Sequence, residues 1–218
     1  MRVEHNADDT AKVWISQDEY QRLLSVADEY GDNWTLPIRL GAECGLRHAE
    51  SAAVTPGDLS EAVVDFSNND LLRADVDADG RTVVHWLTVV GKDTTGGDGK
   101  RRDAFVPEDV YRDLELEKHR RDLDDDDEFV LVSPRSVRRW IDDISELMAD
   151  ETGNPDWKYL SSHDLRRYFA TTCLQVAGMN PEVVKEVGGW SSYKAMKPYL
   201  QSPVQEVIAA EFAAAGML

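Results

Sequence analysis

The 218-residue chain is poor in several things. Its only cysteines are Cys44 and Cys173, and no metal-ligand spacing is present. Two isolated thiols without a secretion signal read as reduced side chains, not as a disulfide framework. No apolar run reaches the roughly 18 residues that span a bilayer, and the first ten residues, "MRVEHNADDT", hold no apolar signal core. A soluble, cytoplasmic protein without a membrane partner is the expectation. The glycine-rich stretch "GKDTTGGDGK" cannot be fitted to G-x-x-x-x-G-K-[ST], which excludes a P-loop. No internal repeat and no obvious linker divides the chain. Scarcest of all is positive charge: 24 Lys and Arg stand against 42 Asp and Glu, a formal net charge of −18.

Against these absences, 42 % of the residues are apolar, enough for one good-sized globular domain. The acids are spread along the whole chain, with a peak at Asp124 to Glu128. Such a surface suits a halophile, because at 1 M salt the Debye length falls to about 3 Å and self-repulsion is screened. The charge is not uniform. From Trp157 to Leu200 six bases face three acids, a local +3 that leaves −21 on the rest. A basic island in an acidic protein points to a local anionic partner.

The patterning is α+β. "WISQDEYQRLLSVADEYG" predicts a helix with Ser16 as N-cap, Glu19 completing a capping box and Gly31 ending it. "NWTLPIRLGAECGLRHAESAAV" predicts a second helical region, broken near Gly45 and stopped by Pro56 and Gly57. Arg81 to Val90 and "RDAFVP" are strand-like around a glycine-rich loop, and "ADVDADGR" supplies a further turn, so a three-stranded antiparallel sheet is expected. Helices follow over Pro107 to about Arg121 and about Ser136 to Ala149, with a short "FVLV" segment between them. "SSHDLRRYFATTCLQVAG" predicts a helix capped by Ser161 or Ser162 and closed at Gly178. "NPEVVKEVGG" predicts a short one with Asn180 as N-cap, Pro181 at N1 and Gly188 past its end. An amphipathic stretch with Val204, Val207, Ile208 and Phe212 closes the chain.

Four segments carry chemistry-bearing side chains. His163 and Arg166 share a face in the first turn of their helix, where free N–H groups favour an anion. Arg47 follows a glycine, with Glu50 three residues on; a planar guanidinium clamps a phosphodiester bidentately. The hairpin loop carries Lys92 and Lys100. Tyr193 and Tyr199 sit among lysines in "GWSSYKAMKPYL". A tyrosine, with a pKa near 10, needs a base and an electrophilic clamp to act as a nucleophile.

In chain order these are Arg47, Lys92, His163 with Arg166, Trp190, and Tyr199 nine residues after that tryptophan. The series resembles the catalytic domain of the tyrosine recombinase (phage integrase) family, and "GGWSS" resembles the family's G-H-S-S with Trp in the place of His. The resemblance covers about Trp14 to the C-terminus. It implies the mostly helical DNA breaking-rejoining fold over residues 14–218, behind a flexible lead of residues 1–13, with the family's N-terminal core-binding domain absent. It implies double-stranded DNA as partner, no cofactor and no metal. Tyr199 then attacks a backbone phosphate to give a 3′-phosphotyrosyl link. Arg47, Arg166 and Trp190 stabilise the charge, Lys92 (or Lys100) protonates the leaving oxygen, His163 handles the tyrosine proton and Glu50 orients the site. Lys100, Arg101, Arg102, Arg167, Lys194 and Lys197 are expected along the DNA. The C-terminal helix is expected either to dock on a neighbouring protomer, in a homotetramer on DNA, or to pack on its own domain. A type IB topoisomerase-like DNA relaxation and a catalytically weak DNA-binding remnant are the alternatives.

Overall fold

The computed structural model describes residues 1–7, 10–66, 80–91, 100–200 and 212–213. Lys92, the turn before Arg81 and nearly all of the C-terminal stretch after Leu200 lie outside the described residues.

The chain is α+β, with helices dominating and a small antiparallel sheet. Residues 1–13, expected as a flexible lead, instead contribute a hairpin of β1 (Arg2–His5) and β2 (Ala11–Trp14). Two anchors hold it in place. Val13 is buried and its N–H donates to Asp164 Oδ1 at 3.0 Å, and the Met1 ammonium reaches Glu19 at 2.5 Å. Helix α1 (Gln17–Glu29) starts at Ser16 with the expected capping box, and turns Tyr20, Leu23, Val26 and Ala27 inward. Helix α2 (Asp32–Ala42) and the single turn α3 (His48–Ser51) flank a break where Gly45 adopts φ +69°. That φ is left-handed, and a Cβ there would lie 2.6 Å from the Phe169 ring, so only glycine fits.

The sheet runs β3 (Leu59–Asp65), β4 (Arg81–Val90), β5 (Arg101–Val106), all antiparallel. Alternation decides what faces inward. On β5, Arg102, Ala104 and Val106 are buried while Arg101, Asp103 and Phe105 are exposed. Helix α4 (Glu108–Arg121) follows, and Asp122 ends it in the left-handed conformation at φ 52°. The acidic run forms a tight turn, with Asp124 N–H on Asp127 and Gly57 N–H on Asp125 O at 2.9 Å. "FVLV" forms no strand. Phe129 and Val130 are instead plugs in the core, and Phe129 N–H donates to Val54 O at 3.1 Å.

Helix α5 (Pro134–Thr152) extends beyond both expected ends, because Ser133 caps it and Pro134 occupies N1. Helix α6 (Ser162–Thr171) is capped by Ser161 with Asp164 closing the box, and runs on through a π-helical turn, Thr172–Val176. Helix α7 (Pro181–Gly188) has Asn180 as N-cap as expected, but Gly188 is its last residue and Gly189, at φ +67°, is the cap. Helix α8 (Tyr193–Leu200) carries both candidate tyrosines.

Two apolar clusters organise the molecule. The large one joins α1, α2, α4, α5, the inner sheet face and Leu165 of α6. The small one is Phe169, Ala170, Val184, Trp190 and Met196, with Tyr199 packed at its edge. The small cluster is the floor of the candidate site.

Candidate active site

Arg47 is the N-cap residue of α3. Its backbone N–H donates to Glu50 Oε2 at 2.9 Å and its Nη1 to Glu50 Oε1 at 2.6 Å. The Arg47 side chain keeps 37 % exposure, whereas Glu50 keeps 3 %. Burial pushes the Glu50 carboxyl up, but hydrogen bonds and charge from Arg102, with Arg47 behind them, outweigh it and hold the group below its ordinary range.

Arg166 comes from α6 and is buried. Its Nη1 donates to Gly45 O and its Nη2 to Gly188 O at 2.5 Å, so one side chain ties the α2–α3 break to the end of α7. Its guanidinium lies 4.1 Å above the Trp190 ring, which stacks on Phe169 from the other cluster wall. Burial, then the charges of Arg47 and Arg102, bring its pKa down to about 9. It stays charged at neutral pH, but its surroundings hold more positive than negative charge.

His163 is exposed on the first turn of the same helix. Burial of part of the ring, then His48, Arg167, Arg166 and Arg47, lower its pKa below the ordinary value, which keeps it neutral at pH 7. The His48 ring meets it edge-on at 6.4 Å, and His48 Nδ1 lies 3.3 Å from Ser162 Oγ.

Trp190 is 7 % exposed, and its ring fills the space over Gly188, where any Cβ would overlap it. The Tyr199 ring lies 5.4 Å from Trp190 and 5.9 Å from the Arg167 guanidinium. Gln175 Nε2, on the π-helical turn, donates to Tyr199 O at 2.9 Å and holds the end of α8. Tyr193 points elsewhere. It is 48 % exposed, its hydroxyl donates to Glu182, Lys185 lies 4.9 Å from its ring, and the Glu182 hydrogen bond raises its pKa. A raised pKa is the wrong direction for a nucleophile.

The structure thus gathers Arg47, Glu50, His163, Arg166, Trp190 and Tyr199 from α3, α6 and the α7–α8 region. Lys92 lies outside the described residues. Its neighbour Gly91 bonds through its N–H to Lys100 O at 2.9 Å, and a Cβ on Gly91 would lie 3.8 Å from Arg47 Nη1. The base of the hairpin therefore abuts Arg47. Lys100, Arg101, Lys194 and Lys197 are exposed, as a DNA contact requires.

Two of the expected DNA contacts are not on the surface. Arg102 is buried because strand alternation puts it on the inner face of β5, where it pairs with Glu50. Arg167 is buried because it stands one residue, a turn of 100°, from Arg166 on α6. It pairs with Asp164 and stacks at 5.0 Å on Trp14 of the N-terminal hairpin.

Three surface arginines were missed. Arg135, Arg138 and Arg139 are exposed on the first turns of α5, and the Arg138 charge reaches His48 beside the site. "RSVRR" in so acidic a chain was the available signal.

No protein-family model matches the chain, and no curated protein matches it. Solved structures do, and they define the class of fold: that of the catalytic domain of tyrosine recombinases. Among them, XerA recombinase is 20 % identical with a TM-score of 0.63, covering 93 % of this chain and 65 % of its own. The Tn1549 transposon integrase, in complex with transposon right end DNA, is 18 % identical with a TM-score of 0.63 over the same shares. The catalytic domain of bacteriophage HP1 integrase is 16 % identical with a TM-score of 0.51, covering 92 % of this chain and 95 % of its own. The chain thus spans 65 % of the length of the first two.

Proposed function

We propose that the chain is the catalytic domain of a site-specific DNA recombinase that cuts and rejoins DNA through Tyr199. The observation that carries this reading is a charge imbalance at the site. Among the described residues, Arg47 and Arg102 both pair with one carboxylate, Glu50, and the buried Arg166 beside them feels their charges more than that of Glu50, in a protein whose net charge is −18. An acidic chain that concentrates uncompensated guanidinium groups beside a tyrosine has a place for an anion that is not its own. A DNA phosphodiester is such an anion. The shared fold with recombinases and integrases, one of them solved on transposon DNA, supports the same reading.

In this mechanism the phosphate lies against Arg47 and Arg166. The Tyr199 oxygen attacks phosphorus, its proton passing to neutral His163, and a 3′-phosphotyrosyl bond forms as the P–O5′ bond breaks. The leaving 5′-oxygen takes its proton from Lys92 of the hairpin. Charge building on the non-bridging oxygens is met by the two guanidinium groups, preorganised donors of the kind commonly worth a few kcal/mol each. Trp190 keeps Arg166 in plane beneath the phosphate. Rejoining reverses the step with a 5′-hydroxyl from another strand. The exposed Lys100, Arg101, Lys194 and Lys197, with Arg135, Arg138 and Arg139, follow the backbone on either side. The acidic remainder suits work at high salt, where confined positive charge must hold the DNA. A homotetramer assembled on DNA belongs to the same reading.

The test is a nicked duplex that traps the intermediate, incubated with the protein in molar KCl and run on a denaturing gel. A covalent adduct that survives Tyr193→Phe and disappears in Tyr199→Phe is expected. An adduct that persists in Tyr199→Phe overturns the assignment.

A further inference from the structure

We infer that Arg102 is a positioning residue of this site and not a contact to DNA, an inference that rests on the phosphate-cleaving reading above. Its side chain is 5 % exposed. Nη1 and Nη2 donate to Glu50 Oε1 and Oε2 at 3.1 and 2.9 Å, a bidentate fork on a carboxylate that is itself 3 % exposed. Nε donates to Val187 O at 3.1 Å. Three of its five N–H groups are taken, and both Nη atoms are spent on a carboxylate that already meets the charge, whereas the Nη atoms of Arg166 donate only to backbone carbonyls.

Its three donors join three separate parts of the chain. Through Glu50 it reaches the start of α3, because the same carboxylate accepts from Arg47 Nη1 and from Arg47 N–H. Through its own place on β5, two residues past Lys100, it fixes the base of the hairpin whose other strand ends at Val90, just before Gly91. Through Val187 O it holds the end of α7, two residues before Gly189 and three before Trp190. Gly189 has to be glycine here for two reasons: φ is +67°, and a Cβ would overlap the Arg102 side chain. The paired glycines therefore divide the work. Gly188 makes room for the Trp190 ring, and Gly189 makes room for Arg102.

The chemistry follows from the charge. Glu50 unpaired beside Arg47 would fold the Arg47 guanidinium fully onto itself and cancel it. With both Glu50 oxygens engaged by Arg102, one Arg47 nitrogen suffices for the pair, and the Arg47 side chain keeps 37 % exposure, open to the phosphate of the proposed reaction. A lysine at 102 supplies charge but not the planar fork.

The experiment uses the full chain with Arg102→Lys, Arg102→Gln, Glu50→Gln and the paired Glu50→Gln/Arg102→Gln variant. Three quantities are read: adduct formation on the saturated nicked duplex, DNA affinity against KCl concentration, and the Arg47 side-chain Nε–Hε NMR signal without DNA. A displaced clamp is expected to slow adduct formation in Arg102→Lys by about tenfold or more. DNA affinity and its salt slope should not change, and the Arg47 signal should move. The paired variant should be no slower than Glu50→Gln alone, since the two act as one unit. A salt slope lowered by about one, with adduct formation unchanged at saturation, makes Arg102 a DNA contact and overturns the inference. So does an Arg47 signal that stays in place. If Arg102→Gln fails to fold, the lysine variant, which keeps the buried charge balanced, decides. If the wild-type protein forms no adduct, the recombinase reading falls, and the Arg47 signal still decides the role of Arg102.

Discussion

Two arginine clusters in this domain are built from the same parts and do opposite things. On α2, Arg39 is surrounded by acids: Nε reaches Glu43 at 2.9 Å, Nη2 reaches Asp109 at 2.5 Å, and Nη1 reaches Asp113. Burial works against its charge, but hydrogen bonding and charge from Glu43, then Asp113 and Asp109, raise its pKa above the ordinary value. Tyr20 closes the group by donating to Glu43 at 2.5 Å. Around Glu50 the count is reversed, and Arg166 is pushed down to about 9. The first cluster is complete within the fold, and joins α1, α2 and α4. The second, among the described residues, has more guanidinium than carboxylate, and the proposed DNA phosphate would meet the surplus. An arginine is therefore not a functional signal in itself, since the balance of charge around it separates a staple from a site.

The largest test of that contrast is to truncate one arginine in each cluster. Arg166→Ala removes a preorganised donor, and adduct formation is expected to fall by about 10²–10³-fold on the nicked duplex. Arg39→Ala leaves Glu43, Asp109 and Asp113 repelling one another. A loss of about 2–3 kcal/mol is expected, at the low side for a broken pair because two of the acids are exposed. A thermal scan should show the midpoint roughly 5–10 °C lower, with adduct formation intact in the folded protein. If the two variants exchange these phenotypes, the contrast is wrong.

A smaller effect is expected from Gly188→Ala. Its methyl would overlap the Trp190 ring and push it from under Arg166. Overpacking of this kind costs about 1–3 kcal/mol, and Trp190 displacement should slow the adduct without changing DNA affinity.

The pH dependence sharpens the electrostatic side. His163 has a folded pKa below its unfolded one. It therefore stays neutral further into acid than a free histidine, and adduct formation should hold steady down to about pH 6.5 and fall only below it. The linked stability runs the same way. The unfolded chain takes the proton first, so stability is lost as pH falls from about 6.5 toward the folded value. A rate that already declines between pH 8 and 7 would show that His163 is not so tuned.

The smallest expected change is at the rim. Lys197→Ala should leave the cleavage step alone and reduce the slope of log affinity against log salt by about one. Titrating a labelled duplex at several KCl concentrations measures it.

Much of this molecule can be read along the chain. The capping boxes at Ser16 and Ser161, Pro181 behind Asn180, and the alternation in β4 are local signals, and the structure has each of them. The hairpin at residues 2–14 was missed because its burial is supplied from far away, by Asp164 and Arg167. "FVLV" misled because apolar density alone does not distinguish a strand from a plug. At the site, the residues gathered around Glu50 were named from their order in the sequence, whereas Arg102 and Arg167 were mistaken for surface contacts. Each lies beside another basic residue, Arg101 and Arg166. A one-residue step sends neighbouring side chains to opposite faces of a strand and about 100° apart on a helix.

By itself the sequence determined most of the local parts: the capped helices, the strands of the three-stranded sheet, and which side chains carry charge and chemistry. Those depend on neighbours within a few residues, through caps, periodicity and allowed dihedrals. Only the tertiary structure decided which arginines are paired and which are left over, because ion pairing depends on carboxylates brought from distant elements. Glu50 stands 52 positions from Arg102, and Gly45 stands 121 positions from Arg166. The burial that makes those pairs strong exists only once α3, β5, α6 and α7 have packed.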